Sequence, residues 1–277
     1  MTILVTGATG VVGRNVVRQL VEAGEDVRVM SRRPADGAVY GDLLKPETVP
    51  FDGVDRVYLF PVDETAREVV ARAREAGVRR IVDLSAASVT IGLHVNPVEQ
   101  AVEESGLEWT HVRPAGFMAN LLPLWAPSVR ADRVVRYPFP DEVGVPVHEA
   151  DIAAVAVAAL LEDRHAGREY TLTGPELVTV REQVAAIGAA LGEDVRFEEV
   201  TRSRARELWL AEGHPAEFVD FMLGFVNYDG SESGDSKGFS DDDYSALMKP
   251  WPGVQDATGR SARTCAEWAR DHVEDFR

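Results

Sequence analysis

The chain has 277 residues, enough to bury a large core within one extended domain. With 29 basic against 46 acidic side chains the net charge is −17, which repels nucleic-acid phosphate and points away from DNA or RNA as a partner. A single cysteine, Cys265, excludes an intrachain disulfide, and no apolar run approaches the ~20 residues that span a bilayer. No membrane partner is expected, and the first apolar run reads as a core strand rather than a cleaved leader, so the expected home is the cytoplasm.

The run through Val5 is a short strand that ends in Gly7, Gly10 and Gly13, spaced G-x-x-G-x-x-G. An amphipathic helix follows over Val11–Ala23, with Val12, Val16, Val17, Leu20 and Val21 at helical spacing. Strand, glycine turn and helix together present unpaired N–H groups and a positive dipole end to an anion. Gly7 permits the tight turn, Gly10 lets the backbone approach a pyrophosphate, and Gly13 lets the helix pack close to the strand. This is the setting of a dinucleotide-binding turn.

Val27–Met30 reads as a second strand, Ala38–Tyr40 as a third and Arg56–Phe60 as a fourth. A helix over Glu64–Ala76 stops at Gly77, a fifth strand spans Arg80–Leu84, and a helix over Pro97–Glu104 stops at Ser105-Gly106 before the strand Glu108–Val112. Alternating strands and helices predict a parallel α/β sheet.

The residue beyond the second strand of such a fold meets the adenosine ribose, where an acid selects a 2′-hydroxyl and arginine suits a 2′-phosphate. Here Ser31, Arg32 and Arg33 stand at that place with no acid, so NADP(H) is preferred and NAD(H) stays open. Gly41, Asp42 and Leu43 follow the third strand, within reach of an adenine. Phe60 and Pro61 follow the fourth, at the carboxyl edge where ligands lie.

After Arg113-Pro114 the rhythm changes, and prolines at 114, 123, 127, 138, 140 and 146 predict short pieces. A helix over Asp151–Glu162, a strand over Glu169–Thr173, a helix over Val180–Leu191 closed by Gly192 and a strand over Val195–Val200 come next. The remainder reads as mostly helical, up to Ala266–Phe276. Residues 1–113 are thus expected to form the dinucleotide-binding core. Residues 114–277 form mainly a substrate-covering lobe, with some segments returning to the core. Tyr228–Asp243 is polar and glycine-rich and reads as a mobile loop or lid. The histidines and Cys265 show no metal-ligand spacing, and no G-x-S-x-G elbow occurs.

Several of these pieces recur as an ordered series. Thr6-Gly7-Ala8-Thr9-Gly10-Val11-Val12-Gly13, Arg32, Gly41-Asp42-Leu43, and Ser105 through Pro114 are followed by Phe117-Met118-Ala119-Asn120, Asp151-Ile152-Ala153, Tyr170 through Pro175, Thr258-Gly259-Arg260 and Trp268. The series resembles the NmrA-like, atypical branch of the short-chain dehydrogenase/reductases, almost end to end. The resemblance implies a Rossmann domain, a doubly wound parallel sheet with helices on both faces, and a smaller C-terminal α+β substrate lobe. It also implies NAD(P) binding that draws in Thr9, Val11, Val12, Ser85, Pro114 and Phe117, with Arg113-Pro114-Ala115-Gly116-Phe117 passing beside the nicotinamide.

The sequence departs from typical members at the Tyr-x-x-x-Lys pair. Counting back from Glu99, those places fall on Ile91 and Val95, which can neither donate a proton nor hold a ribose. Ser85 and Ser88 lie near the place of the usual serine. Hydride addition to an isolated ketone gives a basic alkoxide, whereas a quinone gives a delocalised, weakly basic anion. The expected function is NAD(P)H-dependent reduction of a small quinone-like substrate or conjugated aromatic ketone, with polyketide tailoring and aromatic hydroxylation as a setting. Phe117, Met118, Asn120 and Trp125 are candidate substrate residues, core packing being the competing reading for the apolar ones. His94 is the candidate polar assistant in catalysis. The alternative is a non-catalytic NAD(P)-sensing regulator, and the oligomeric state is left open.

Overall fold

The computed structural model describes residues 1–33, 36–226 and 245–277. Its first elements are β1 (Thr2–Val5), α1 (Val11–Glu22), β2 (Asp26–Ser31), β3 (Ala38–Tyr40), β4 (Arg56–Leu59) and α2 (Ala66–Glu75). They are followed by β5 (Arg80–Leu84), α3 (Ala87–Thr90), α4 (Pro97–Glu104) and β6 (Glu108–Pro114). Next come α5 (Leu122–Asp132), β7 (Val134–Tyr137), β8 (Val143–Gly144), α6 (Glu149–Leu161), β9 (Arg168–Leu172) and β10 (Val178–Thr179). The chain closes with α7 (Val180–Leu191), β11 (Arg196–Glu199), α8 (Arg202–Ala211), α9 (Ala216–Met222), α10 (Gly253–Thr258) and α11 (Cys265–Asp271). The proposed lid at Tyr228–Asp243 lies outside the described residues.

Seven strands form one parallel sheet in the order β3-β2-β1-β4-β5-β6-β9. Its first six positions follow the doubly wound Rossmann order, whose ligand crevice opens where β1 stands between β2 and β4. Register places Val5 opposite Val29 on one side and Tyr58 on the other, so the three strands end together beneath the glycine turn. Alternate residues supply the two faces. Leu4, Val57, Leu59 and Ile81 pack with Val69, Val70 and Ala73 of α2 and Val98, Ala101 and Val102 of α4. Helices α1 and α6 pack together over the other face. There Gln19 Nε2 donates to the Ala150 carbonyl at 3.0 Å.

Two compact units emerge. The first comprises Met1–Ala115, Val147–Thr173 and Trp251–Ala262, so that α6, β9 and α10 belong with the sheet. The second comprises Gly116–Pro146, Gly174–Pro250 and Arg263–Arg277. Within it β7 pairs in parallel with β11, β8 pairs antiparallel with β10, and the core gathers Trp125, Tyr137, Trp209, Trp268 and Phe276. No helix among the described residues is long and apolar enough to cross a membrane.

The proline-rich stretch departs from the expected short pieces, because α5 runs eleven residues through it. Pro123 sits in the first turn, where its missing N–H has no intrahelical partner to lose. Pro127 does cost one bond, offset by the burial of Leu124, Trp125, Ala126 and Val129. The helix stops at Arg133, whose φ of 57° is the one positive value outside glycine among the described residues. The helix expected over Glu64–Ala76 begins only at Ala66, after a 3₁₀ turn over Asp63–Thr65. The one expected over Ala266–Phe276 ends at Asp271, followed by a 3₁₀ turn over Val273–Phe276.

Candidate active site

The glycine turn is built by close backbone packing. Gly7 has φ +58°, and a Cβ there would meet the Phe60 side chain at 2.9–3.0 Å, so residues distant in sequence converge at the ends of β1 and β4. A Cβ on Gly13 would meet the Gly7 carbonyl oxygen at 2.2 Å and its carbon at 2.8 Å. Gly13 therefore lets α1 settle on the turn itself. Gly10 is the N-cap of α1; its N–H donates to the Gly7 carbonyl at 2.9 Å, and no side chain caps the helix. No acid occupies the first turn, so the N–H groups from Val11 onward and the positive dipole end keep their attraction for an anion. Thr9 and Gly10 are exposed, whereas Val12 turns its side chain into the core. An uncapped helix end above a turn with no room for Cβ atoms fits a dinucleotide pyrophosphate.

Thr6, which sequence reasoning did not single out as a site residue, fastens this turn. Its hydroxyl donates to the Tyr58 carbonyl at 3.0 Å and accepts from the Phe60 N–H at 2.7 Å. The signal was available: a small hydroxyl residue at the last buried step before the first glycine. Phe60 itself is 45% exposed.

At the end of β2 the Ser31 hydroxyl accepts from the Arg33 N–H at 3.1 Å, folding the chain so that Arg32 and Arg33 both lie exposed. Neither guanidinium has an ion-pair partner among the described residues. The Gly41 N–H donates to the Ser31 carbonyl at 3.2 Å, bringing the two predicted segments together. Asp42 uses its carboxylate on the Leu44 N–H at 3.1 Å. Leu43 is buried among Met30, Val49 and Phe51, so its side chain serves the core and only its backbone is left to meet a ligand.

At the ends of β5 and β6 the structure shows a buried polar network. Ser85 Oγ accepts from Asn96 Nδ2 at 2.9 Å. Asn96 Oδ1 caps α4, accepting from the Val98 and Glu99 N–H groups at 2.8 and 3.4 Å. Arg113 grips Glu99 through two bonds at 2.8 and 2.7 Å and reaches Glu169 at 2.6 Å, while Pro114 is buried behind it. Burial alone would raise the Glu99 pKa, but the two bonds from Arg113, helped by the nearby Ser85 hydroxyl and the charge of His111, outweigh it and hold the carboxyl below its usual range.

One layer deeper, Asp83 faces His111 across the β5–β6 register, with Oδ1 and Nδ1 2.7 Å apart. His111 Nε2 lies 3.3 Å from Glu103, and Trp109 stacks on the ring at 4.3 Å. Burial pushes the Asp83 carboxyl up, opposed by His111. For His111 burial pulls down, but the bond and charge of Asp83 prevail and raise it. The pair thus retains a proton to higher pH than free side chains would. Asp83, Glu99 and His111 come close enough together to suggest metal ligands. Glu99, however, is engaged by Arg113, and His111 by Asp83 and Glu103, as in an ion-pair network, while Asp83 Oδ2 is buried with no partner among the described residues. Sequence reasoning missed this network; its signal is charged residues placed inside otherwise apolar strands.

Ile91, His94 and Val95 lie between α3 and α4, His94 half-buried and Val95 66% exposed. The candidate substrate residues belong to the second unit. Phe117 and Asn120 are partly exposed there, the Asn120 N–H donating to the Phe117 carbonyl at 3.1 Å. Met118 and Trp125 are 2% and 1% exposed and belong to that unit's core, where Trp125 packs edge-on against Tyr137 at 6.2 Å. For these two the packing reading holds, since the inward face of the 3₁₀ turn over Met118–Leu121 and of α5 needs apolar volume.

The sequence matches the NAD(P)H-binding family over residues 7–163 and the NmrA-like family over residues 94–235. It is 38% identical to the (4-alkanoyl-5-oxo-2,5-dihydrofuran-3-yl)methyl phosphate reductase of Streptomyces griseus, with 99% of each chain covered. It is 33% identical to the NAD(P)H azoreductase of Xenophilus azovorans, again with 99% of each covered. Among solved structures, the Citrobacter sp. triphenylmethane reductase complexed with NADP(H) aligns with a TM-score of 0.77 at 20% identity, covering 98% of this chain and 99% of that one. The NADPH-dependent quinone oxidoreductase of Escherichia coli, complexed with NADPH, aligns with a TM-score of 0.74 at 22% identity, covering 99% and 100%. With the dinucleotide turn, the Rossmann strand order and these matches together, the chain belongs to the NmrA-like, NAD(P)-binding family of atypical short-chain dehydrogenase/reductases and is an NAD(P)H-dependent oxidoreductase.

Proposed function

We propose that this reductase uses NADPH to reduce a small conjugated acceptor, a quinone or aromatic ketone or an acyl-activated unsaturated ring, whose reduced anion is delocalised. The observation that carries this reading is the pair Ile91 and Val95 where a tyrosine acid and a lysine would stand. Bound NADPH supplies hydride; the protein's share is to orient the acceptor and exclude water. An acceptor whose anion is weakly basic needs little more. The relative from Streptomyces griseus supports the class, because its named substrate carries a ring double bond flanked by an acyl and a lactone carbonyl. Added hydride there leaves an anion spread over two oxygens.

NADPH is favoured over NADH by two exposed guanidiniums at the end of β2 and by the absence of an acid. The triphenylmethane reductase and quinone oxidoreductase structures, which hold NADP(H), point the same way. Phe117 and Asn120 remain candidates for contact with a flat substrate, and His94 for assisting the proton. A role in polyketide tailoring would place such an acceptor in an aromatic pathway. A non-catalytic sensor has less support, because two whole-length relatives are reductases by name.

The test is NADPH oxidation with a panel running from quinones and acyl-furanones to isolated ketones, in wild type and His94→Ala. Turnover should fall as the reduced anion becomes more basic, and the loss caused by His94→Ala should grow along the same series. Isolated ketones reduced as fast as quinones would overturn the substrate class. A uniform His94→Ala effect would remove His94 from proton transfer.

A further inference from the structure

We propose that the outer edge of the sheet carries a second binding site, which takes a small zwitterion with an aromatic body, the chemistry of an aromatic amino acid. β9 ends the seven-strand sheet, so only one of its sides is paired along its length. Against its other side lies a cleft of about 480 Å³, within the range of small-ligand sites. β9 stands four strand positions from β1, roughly 19 Å at ~4.8 Å per strand. An occupant there does not compete with a dinucleotide at the glycine turn.

The walls of the cleft are tied together. One is β9 and the other runs from Trp251 into α10. A bridge between Leu172 and Pro252 joins them, as does the Trp251 N–H, which donates to Thr173 Oγ1 at 2.8 Å. Gly253 permits this approach, since a Cβ there would fall 2.2 Å from the Thr171 carbonyl oxygen. Further along, Arg164 donates to the Ala257 carbonyl at 2.8 Å. The charges in the lining divide into spent and unspent. Arg164 is held by Glu162, and Glu169 by Arg113, each at 2.6 Å. The side chains of Arg168 on β9 and Asp256 on α10 have no ion-pair or hydrogen-bond partner among the described residues, and they do not pair with each other. An unspent cation on one wall and an unspent anion on the other call for a ligand that carries both signs. A carboxylate fits the fork of the guanidinium, and an ammonium fits the Asp256 carboxylate. A ligand of one sign would leave the opposite charge unanswered. Tyr170 and Trp251 add aromatic surface to the same lining. The Tyr170 hydroxyl is 2.7 Å from His165 Nδ1, so the ring is the part left for a ligand.

Calorimetric titration of the full chain with L-phenylalanine, 3-phenylpropionate and phenethylamine tests this. The two analogues keep the aromatic body and lack the ammonium and the carboxylate respectively. Wild type should bind phenylalanine about tenfold more tightly than either, the lower end for one charge-assisted hydrogen bond. Arg168→Gln should lose the preference over phenethylamine and keep the one over phenylpropionate; Asp256→Asn should do the reverse. NADP⁺ affinity should stay within about twofold in both variants, which reports an intact first unit. The wild-type comparison decides the matter by itself if a variant fails that check. Either analogue bound as tightly as phenylalanine would overturn the zwitterion. Preferences that survive both substitutions, or a wild type that binds none of the three, would overturn the site.

Discussion

Asp83 and His111 stand directly opposite in the β5–β6 register, joined by a 2.7 Å hydrogen bond, with no exposed surface on either side chain. Glu99 and Glu103 of α4 lie on the same side, Arg113 and Glu169 extend the network along β6 and β9, and the Tyr58 hydroxyl of β4 is buried nearby without a hydrogen-bond partner among the described residues. Asp83 and His111 both bind their proton more tightly in the folded chain than in the unfolded one. A fold that binds protons more tightly loses stability as pH rises. The His111 contribution is complete below about pH 6.5, its unfolded value, and fades as pH climbs through the raised folded value. Glu99 works in the opposite sense: its contribution is present above about pH 4.3 and is lost as pH falls, so it is constant in the neutral range.

Urea unfolding between about pH 6.5 and pH 9 spans the range over which the Asp83–His111 pair gives up its contribution. Wild type should lose stability across this window. Asp83→Asn, which keeps an acceptor oxygen but removes the charge that raises His111, should show a shallower decline. Equal slopes in the two proteins would mean that the pair does not hold its proton as described.

Gly13 and Gly10 should separate in their effects. A Cβ at position 13 falls 2.2 Å from the Gly7 carbonyl oxygen, and backbone cannot swing aside as a side-chain tip can. Gly13→Ala should therefore cost ~1–3 kcal/mol of stability and shift the turn enough to lose NADP⁺ binding. At position 10 the same oxygen is 3.2 Å away. Gly10→Val should keep most of the stability and still lose the cofactor, because the added side chain occupies the place of the pyrophosphate. Thermal melts and calorimetric titration read the two quantities separately.

Arg32 lies at the end of β2 with no carboxylate paired to it among the described residues. A charge-assisted bond to a phosphate is worth ~1.5–3 kcal/mol. Arg32→Ala should weaken NADPH by about tenfold or more and leave NADH within about twofold. Parallel losses for both dinucleotides would show that the guanidinium does not read the 2′-phosphate.

How much of this was legible in the sequence depends on how local each feature is. The glycine turn was, because Gly7, Gly10 and Gly13 act on neighbours a few residues away. Strands such as Ala38–Tyr40 and Arg80–Leu84 were too, because their β-branched runs are bounded by turns. Trp125 and Met118 were not, since an apolar side chain reads the same in a core as in a substrate pocket. Nor was α5, whose prolines argue locally against a helix that burial supports. The Asp83–His111 and Glu99–Arg113 pairs link residues 28 and 14 positions apart, and only the sheet register, for the first, and the packing of α4 on β6, for the second, reveal that they meet.

Arg80 tests whether the two ends of the sheet are energetically separate. It is fully buried at the start of β5, remote from the carboxyl edge. Its guanidinium bonds Glu108 at 2.6 and 2.8 Å, Asp163 at 2.7 Å, and the Ala159 and Glu162 carbonyls at 3.2 and 3.0 Å. It thus closes the C-terminal end of α6, where backbone oxygens lack intrahelical donors. Arg56 adds a bond to the Leu160 carbonyl. Arg80→Ala takes the donor from the buried Ala159 carbonyl, while Glu108 and Asp163, 45% and 86% exposed, can turn to water, so it should cost ~1–3 kcal/mol, the range for one buried group left unsatisfied. The glycine turn and the Ser85 network sit at the other end of the strands and share no bond with Arg80. The folded fraction of Arg80→Ala should therefore bind NADP⁺ with wild-type affinity even as its melting temperature falls. A matching loss of affinity would show instead that strain from α6 reaches the ligand edge, and the two ends of the sheet would not be energetically separate.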